Sequence, residues 1–238
     1  MRKDRTFQEM RSISFETNIN IHAEGSCLVK FGNTHVICTA SIEDKTPNWL
    51  KNTGKGWITA EYGMLPRSTN TRIDRESAKG KLTGRTQEIQ RLIGRSLRSI
   101  SNLENLGERQ IKIDCDVIQA DGGTRTASIS GSYVALYLAV KKLKANYNIQ
   151  KPILKDFIAA VSVGIINNKA CLDLDYVEDS AAQVDANFVI CESGKISEIQ
   201  VTGEEHFFSE EEYNQLFELA KNGVKKIISK QKEALNNS

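Results

Sequence analysis

Arg109-Gln110-Ile111-Lys112-Ile113-Asp114-Cys115-Asp116-Val117-Ile118-Gln119, running on through Ala120-Asp121-Gly122-Gly123-Thr124-Arg125, decides how this 238-residue chain is read. The first part reads as a strand and the paired glycines end it. Beyond them Ile129, Tyr133, Leu136, Val140 and Leu143 recur in steps of three and four, which predicts a helix with a buried stripe. Glycines let backbone amides come close to a ligand, and a helix start offers N–H groups with no intrahelical partner. Thr124 adds a hydroxyl and Arg125 a fork of donors, so the turn suits a phosphate group. Taken alone, the same residues also serve as a plain helix-entry turn. They lack the lysine and spacing of a P-loop and are not Gly-x-Gly-x-x-Gly, so no nucleotide-binding label follows.

Working outward, strands are expected at 15–20, 25–31, 34–42 and 56–63, with Gly32-Asn33 turning the second into the third. Ile89, Leu92, Ile93, Leu97 and Ile100 keep helical spacing, while Arg91, Arg95 and Arg98 occupy other angles of that helix. Downstream, strands are expected at 157–166, 170–174, 184–191 and 196–202. A helix from 209 to about 231 follows, with Ser209 as N-cap and Glu210, Glu211 and Glu212 at the positive end of its dipole. The pattern is α+β, two similar βαβα-type halves. No low-complexity linker divides them, so residues 1–238 are expected to form one domain.

Composition narrows the class. With 39% hydrophobic and 26% charged residues the chain is neither disordered nor fibrous. Its longest uncharged apolar run, 157–166, is rich in β-branched residues and too short to cross a bilayer. The start, Met1-Arg2-Lys3-Asp4-Arg5, lacks the apolar core of a secretory signal, so a cytoplasmic protein is expected. Five cysteines (Cys27, Cys38, Cys115, Cys171, Cys191) form no Cys-x-x-Cys pair and read as free buried thiols. His22, His35 and His206 stand apart from any plausible nucleophile and read as structural.

The net charge of +2 hides a strong asymmetry. From Arg67 to Arg98 nine Lys/Arg face three acids, whereas from Cys171 to Glu212 twelve Asp/Glu face Lys195 alone. The first distribution suits a polyanion and the second a hard divalent cation, although charge runs are commonly no more than solvated faces.

Longer motifs sharpen this reading. Thr83-Gly84-Arg85-Thr86-Gln87-Glu88-Ile89-Gln90-Arg91-Leu92-Ile93-Gly94-Arg95 and Ile113-Asp114-Cys115-Asp116 leading into the glycine turn are joined by Gly56-Trp57-Ile58-Thr59-Ala60-Glu61-Tyr62-Gly63-Met64-Leu65-Pro66-Arg67 and Tyr176-Val177-Glu178-Asp179-Ser180-Ala181-Ala182. Together they closely resemble the ribonuclease PH family, from about residue 18 to about residue 203. The resemblance implies a fold like domain 2 of ribosomal protein S5, shared with polynucleotide phosphorylase and the exosome core. It also implies a homohexameric ring built as a trimer of dimers. The implied activity is phosphate-dependent removal of nucleotides from RNA 3′ ends, chiefly of transfer-RNA precursors, with a reverse reaction that adds them. By the same resemblance Arg85, Gly123, Thr124 and Arg125 bind phosphate, and Asp179 and Asp185 are catalytic acids that hold Mg²⁺ or Mn²⁺. Arg67, Arg72 and Arg75 serve ring assembly or grip on transfer RNA.

The expected reaction asks that an inorganic phosphate and a terminal phosphodiester be held together against their mutual repulsion, which arginines and a divalent ion accomplish. Asp173 and Asp175 are weaker candidates for the outer shell of that ion. Alternatives at this stage are a ring subunit without catalysis and a metal-dependent hydrolytic nuclease. The chain departs from the family at Arg2-Lys3-Asp4-Arg5, which lacks the family's glycine, and at Met10-Arg11-Ser12, which lacks its proline. This departure is expected to alter the path of the first dozen residues and to leave the site untouched.

Overall fold

The strand at the heart of that stretch, β5 (Gln110–Gln119), lies inside a mixed five-stranded sheet. The computed structural model describes residues 2, 5–203 and 207–238. Readings that rest on Met1, Lys3, Asp4 and His206 therefore lie outside the described residues. The sheet is ordered β1-β2-β3-β5-β4, with β1 Ile13–Thr17, β2 Gly25–Phe31, β3 Thr34–Glu43 and β4 Trp57–Met64. Gly32-Asn33 is the two-residue turn of the β2–β3 hairpin, where Phe31 pairs with Thr34. β5 runs antiparallel to β3 and parallel to β4. A parallel pair needs a long crossover. Here it is α1 (Gly84–Ser99) and the short α2 (Leu103–Leu106), and α1 buries Ile89, Leu92, Ile93 and Leu97.

The second half is a four-stranded antiparallel sheet ordered β7-β6-β8-β9: β6 Ile158–Ile166, β7 Lys169–Leu172, β8 Val184–Cys191 and β9 Ile196–Gly203. A one-turn helix, α4 (Tyr176–Ser180), joins β7 to β8, and α5 (Glu210–Asn236) closes the chain. Ser209 caps α5 in a capping box with Glu212.

Between the halves runs α3 (Thr124–Tyr147), packed on β2, β3 and β5 and also on β6. It is buried almost all round, far beyond the stripe its large residues outline. Small residues make this close approach work: a Cβ on Gly131 would stand 2.5 Å from Val29 Cγ1 and 2.8 Å from Cys38 Sγ. Its buried serines stay satisfied by bonding back one turn, Ser128 Oγ to the Thr124 carbonyl at 2.8 Å and Ser130 Oγ to the Thr126 carbonyl at 2.9 Å. Ser130 Oγ also accepts the Ala160 N–H at 3.1 Å, which ties α3 to β6. One hydrophobic cluster runs through both sheets.

Several boundaries move for local reasons. β1 is Ile13–Thr17 because Asn18, at φ 56°, turns the chain out of the strand. β7 stops at Leu172 because Asp173 is also left-handed, at φ 56°. All five cysteines are free and buried. His35 Nε2 lies 3.2 Å from the Gly32 carbonyl at the hairpin turn, a structural contact.

Candidate active site

The site is built where α3 begins. Its N-cap is Gly123, at φ 66°, which has no side chain to cap the helix, so the amides of the first turn remain available for a ligand. Gly122, at φ 73°, allows a second close approach: a Cβ there would lie 2.5 Å from the Asp175 carbonyl carbon and 2.8 Å from the Tyr176 nitrogen. The glycine turn and the segment leading into α4 thus touch backbone to backbone. Thr124 Oγ1 receives a hydrogen bond from the buried Tyr62 hydroxyl at 3.0 Å, which fixes the threonine side chain.

A cleft of about 670 Å³ opens at this helix start, lined by Arg85, Glu88, Gly123, Thr124, Arg125, Ser162, Asp179, Asp185, Asn187, Gln200 and Thr202, with Ile199 and Val201 beside them. Residues 85, 123–125, 179 and 185, more than ninety positions apart in sequence at the extremes, therefore share one wall-to-wall space. Arg85 enters from the first turn of α1. The amides of that helix are less available than those of α3, because Thr83 Oγ1 accepts the Thr86 N–H and Glu76 Oε1 accepts both hydroxyls, at 2.7 Å from Thr83 and 2.8 Å from Thr86. What α1 offers the cleft is the guanidinium. Arg85 is exposed and makes no hydrogen bond or ion pair with a described residue. Glu88, on the same helix, turns to Arg125 (3.6 Å) and accepts from Gln200 Nε2 (3.2 Å). Arg125 Nη1 in turn donates to Gln200 Oε1 at 2.9 Å.

The floor of the cleft is one face of the second sheet. Ser162 pairs with Asn187 and Asn187 with Gln200, and in the next row Gly164 pairs with Asp185 and Asp185 with Thr202. Strand alternation therefore points all these side chains to the same face. Asp179 approaches from α4 and brings its carboxyl into the same cleft as that of Asp185. Desolvation between the cleft walls raises the Asp179 carboxyl above the usual range, against the opposing pull of Arg85, Arg125 and Arg11. Two carboxyls facing one cleft favour a shared proton or cation between them.

Two expected roles change. Asp173 is not free for the outer shell of an ion: it is fully buried and its carboxylate is taken by Arg11 (2.7 Å) and Arg5 (3.3 Å). Asp175 is the N-cap of α4, in a capping box with Glu178, so the cap is Asp175 and Asp179 sits inside the helix. The amino-terminal segment that carries the departure reaches the site's supports through its arginines. Arg2 Nε meets Glu178 Oε1 at 2.5 Å, Arg5 Nη2 meets Glu178 Oε2 at 2.9 Å, and Arg11 holds Asp173. Arg67, Arg72 and Arg75 do not line the cleft. They sit on the exposed loop between β4 and α1, where Arg72 pairs with Asp74 at 3.2 Å.

A mixed-sheet half whose α3 start offers available amides beside two arginines is thus joined to an antiparallel half carrying two carboxylates, an arrangement that suits a phosphate group. The chain belongs to the 3′ exoribonuclease family, matching its domain 1 over residues 9–142 and its domain 2 over residues 156–223. It is 58% identical over 232 residues to a protein named ribonuclease PH from Brucella ovis, an alignment covering 97% of this chain and 98% of that one. Among solved structures it superposes on rice (Oryza sativa) Rrp46 with a TM-score of 0.78 at 20% identity, covering 98% of each chain. A subunit of the Archaeoglobus fulgidus exosome with RNA bound to its active site gives a TM-score of 0.78 at 20% identity, covering 95% of this chain and 90% of that one. At that identity these structures speak for the fold, which is the α+β architecture expected from the sequence.

Proposed function

We propose that the cleft performs phosphate-dependent 3′-to-5′ exoribonucleolysis, with Arg85 and the Gly123-Thr124-Arg125 helix start seating inorganic phosphate and Asp179 and Asp185 acting at the terminal phosphodiester. The observation that carries the reading is the convergence of these groups, from α1, α3, α4 and β8, in one cleft. A hydrogen phosphate held at the start of α3 presents an oxygen to the 5′ phosphorus of the last nucleotide. A P–O–P bond forms, the bond from phosphorus to the penultimate 3′ oxygen breaks, and the proton of the hydrogen phosphate ends on that 3′ oxygen. The products are a nucleoside diphosphate and an RNA one residue shorter. A phosphodiester is exchanged for a phosphoanhydride, so the reverse addition runs when phosphate is scarce.

The residues need only to position and to cancel charge. Arg85 and Arg125 offset the incoming anion, the α3 amides orient it, and Tyr62 and Gln200 hold Thr124 and Arg125 in place. Asp179 and Asp185 are neighbouring oxygen donors of the kind that a hard divalent ion such as Mg²⁺ or Mn²⁺ takes, with water and phosphate to complete its coordination. When bound, such an ion would supply positive charge to the phosphate oxygens.

The substrate class is RNA 3′ ends, chiefly of transfer-RNA precursors. We place the enzyme in the cytoplasm as a homohexameric trimer of dimers, with the loop bearing Arg67, Arg72 and Arg75 serving assembly or grip on structured RNA. Among the described residues no helix is long and apolar enough to cross a membrane. Residues 1–238 act as one domain, a reading supported by the hydrophobic cluster that runs through both sheets around α3. The test is incubation with RNA with and without phosphate. Nucleoside diphosphates that appear only with phosphate are expected, and monophosphates released without it would overturn the reading in favour of hydrolysis.

A further inference from the structure

Arg11 lines no part of the cleft, yet it touches both loops that build it. Its backbone N–H and its Nε donate to Asp173 Oδ2 at 2.9 and 3.0 Å, and its Nη2 donates to Asp173 Oδ1 at 2.7 Å. Its Nη1 donates to the carbonyl oxygen of Asp121, the residue before the Gly122-Gly123 turn. The Arg11 side chain is 9% exposed and that of Asp173 2%. Asp173 is two residues ahead of the α4 cap and so sets the start of the segment that carries Asp179. We propose that Arg11 is a positioning residue for phosphorolysis, a bridge that fixes the phosphate turn and the Asp179 segment relative to each other.

The chemistry of the side chain supports this role. A guanidinium has donors in a rigid plane, so it can grip a carboxylate with two of them and still reach a carbonyl with a third. An ammonium has no such fork. The bridge spans the place where the two loops meet backbone to backbone at Gly122, and a Cβ on Gly123 would lie 3.2 Å from Arg11 Nη2. Loss of the bridge need not unfold the protein, because Arg5 Nη1 remains 3.3 Å from Asp173 Oδ2 and keeps that buried carboxylate paired. The expected loss is alignment between the anion seat and the carboxylates.

The inference rests on the phosphate and carboxylate assignments made above. The decisive variant is Arg11→Lys, with Arg11→Gln beside it, measured by initial rates against phosphate, by calorimetric titration with inorganic phosphate alone, and by melting temperature. The expected result is a fall in kcat of about ten- to a hundredfold, as small misplacements of reacting groups produce, with weakened phosphate binding and unchanged RNA affinity. Val224→Ala, a core truncation on α5 remote from the cleft, controls for general softening and is expected to lower the melting temperature without changing phosphate binding. The bridge is overturned if Arg11→Lys keeps wild-type kcat and phosphate affinity, or if Val224→Ala weakens phosphate binding equally. Arg85→Ala, run in parallel, separates the two levels. If it leaves phosphate dependence intact, the assignment of the pocket fails; if it acts while Arg11→Lys is silent, only the bridge fails.

Discussion

Replacing Arg85 by alanine is the perturbation whose outcome follows most directly from the geometry. The side chain stands in the first turn of α1, is exposed, reaches into the cleft and supports no described neighbour, so its removal leaves the fold intact. A surface change of this kind alters stability by no more than about 0.5 kcal/mol. What it removes is one charge-assisted contact to phosphate, worth roughly 1.5–3 kcal/mol. At 1.4 kcal/mol per factor of ten, phosphorolysis at limiting phosphate should fall by about ten- to a hundredfold. Arg125 and the α3 amides remain, so activity is reduced rather than abolished. Arg85→Lys should recover only part of the loss, because an ammonium cannot reproduce the two-pronged contact. Because the same seat accepts the terminal phosphate of a nucleoside diphosphate, the reverse addition should suffer alongside. The assay is initial rate against phosphate concentration in both directions, with RNA affinity measured separately. A normally folded Arg85→Ala enzyme with unchanged phosphate dependence would refute the reasoning.

Asp179→Asn should abolish turnover while RNA binding persists, and excess chelator should mimic it; activity surviving both would remove the carboxylate pair from the mechanism. Replacing Arg67, Arg72 and Arg75 together by alanine should break the hexamer or weaken transfer-RNA precursor binding while short single-stranded RNA is still degraded, and unchanged sedimentation with unchanged precursor processing would defeat that expectation. Burial alone would raise the Asp173 carboxyl, but hydrogen bonds and charge from Arg11, with Arg5, hold it below the usual range. A folded value below the unfolded one stabilises the protein above about pH 4 and loses that contribution as pH falls through the folded value. Melting temperature should therefore drop in acid for the wild type and less steeply for Asp173→Asn; equal slopes would show that the clamp contributes nothing.

Much of this was legible along the chain because the signals were local. The strand at 110–119, its glycine turn and the helix after it carry their own punctuation, and Arg85, Arg125, Asp179 and Asp185 sit in long motifs. What was not legible depends on strand register. Ser162, Asn187 and Gln200 form one row only because three strands pair at those residues. The nearest local hint was a polar residue inside an apolar run, as at Ser162 and Asn187. Asp173 looked like one more acid in an acidic segment, and the partner that decides its role, Arg11, is 162 positions away. The extent of α3 burial was likewise hidden, since serine, alanine and glycine announce a close backbone approach only when the opposing strands are known.

The packing of α3 also bears on how the enzyme meets its substrates. A helix jammed between two sheets by side chains too short to yield cannot tilt or slide, so the orientation of its first-turn amides is settled when the chain folds. On the proposed reading an arriving phosphate meets amides already oriented, which spares each turnover the cost of ordering them. The same stiffness makes the seat unforgiving: a bulky residue anywhere along the buried length of α3, even three turns from the cleft, would be transmitted as a displacement of the amides at its mouth.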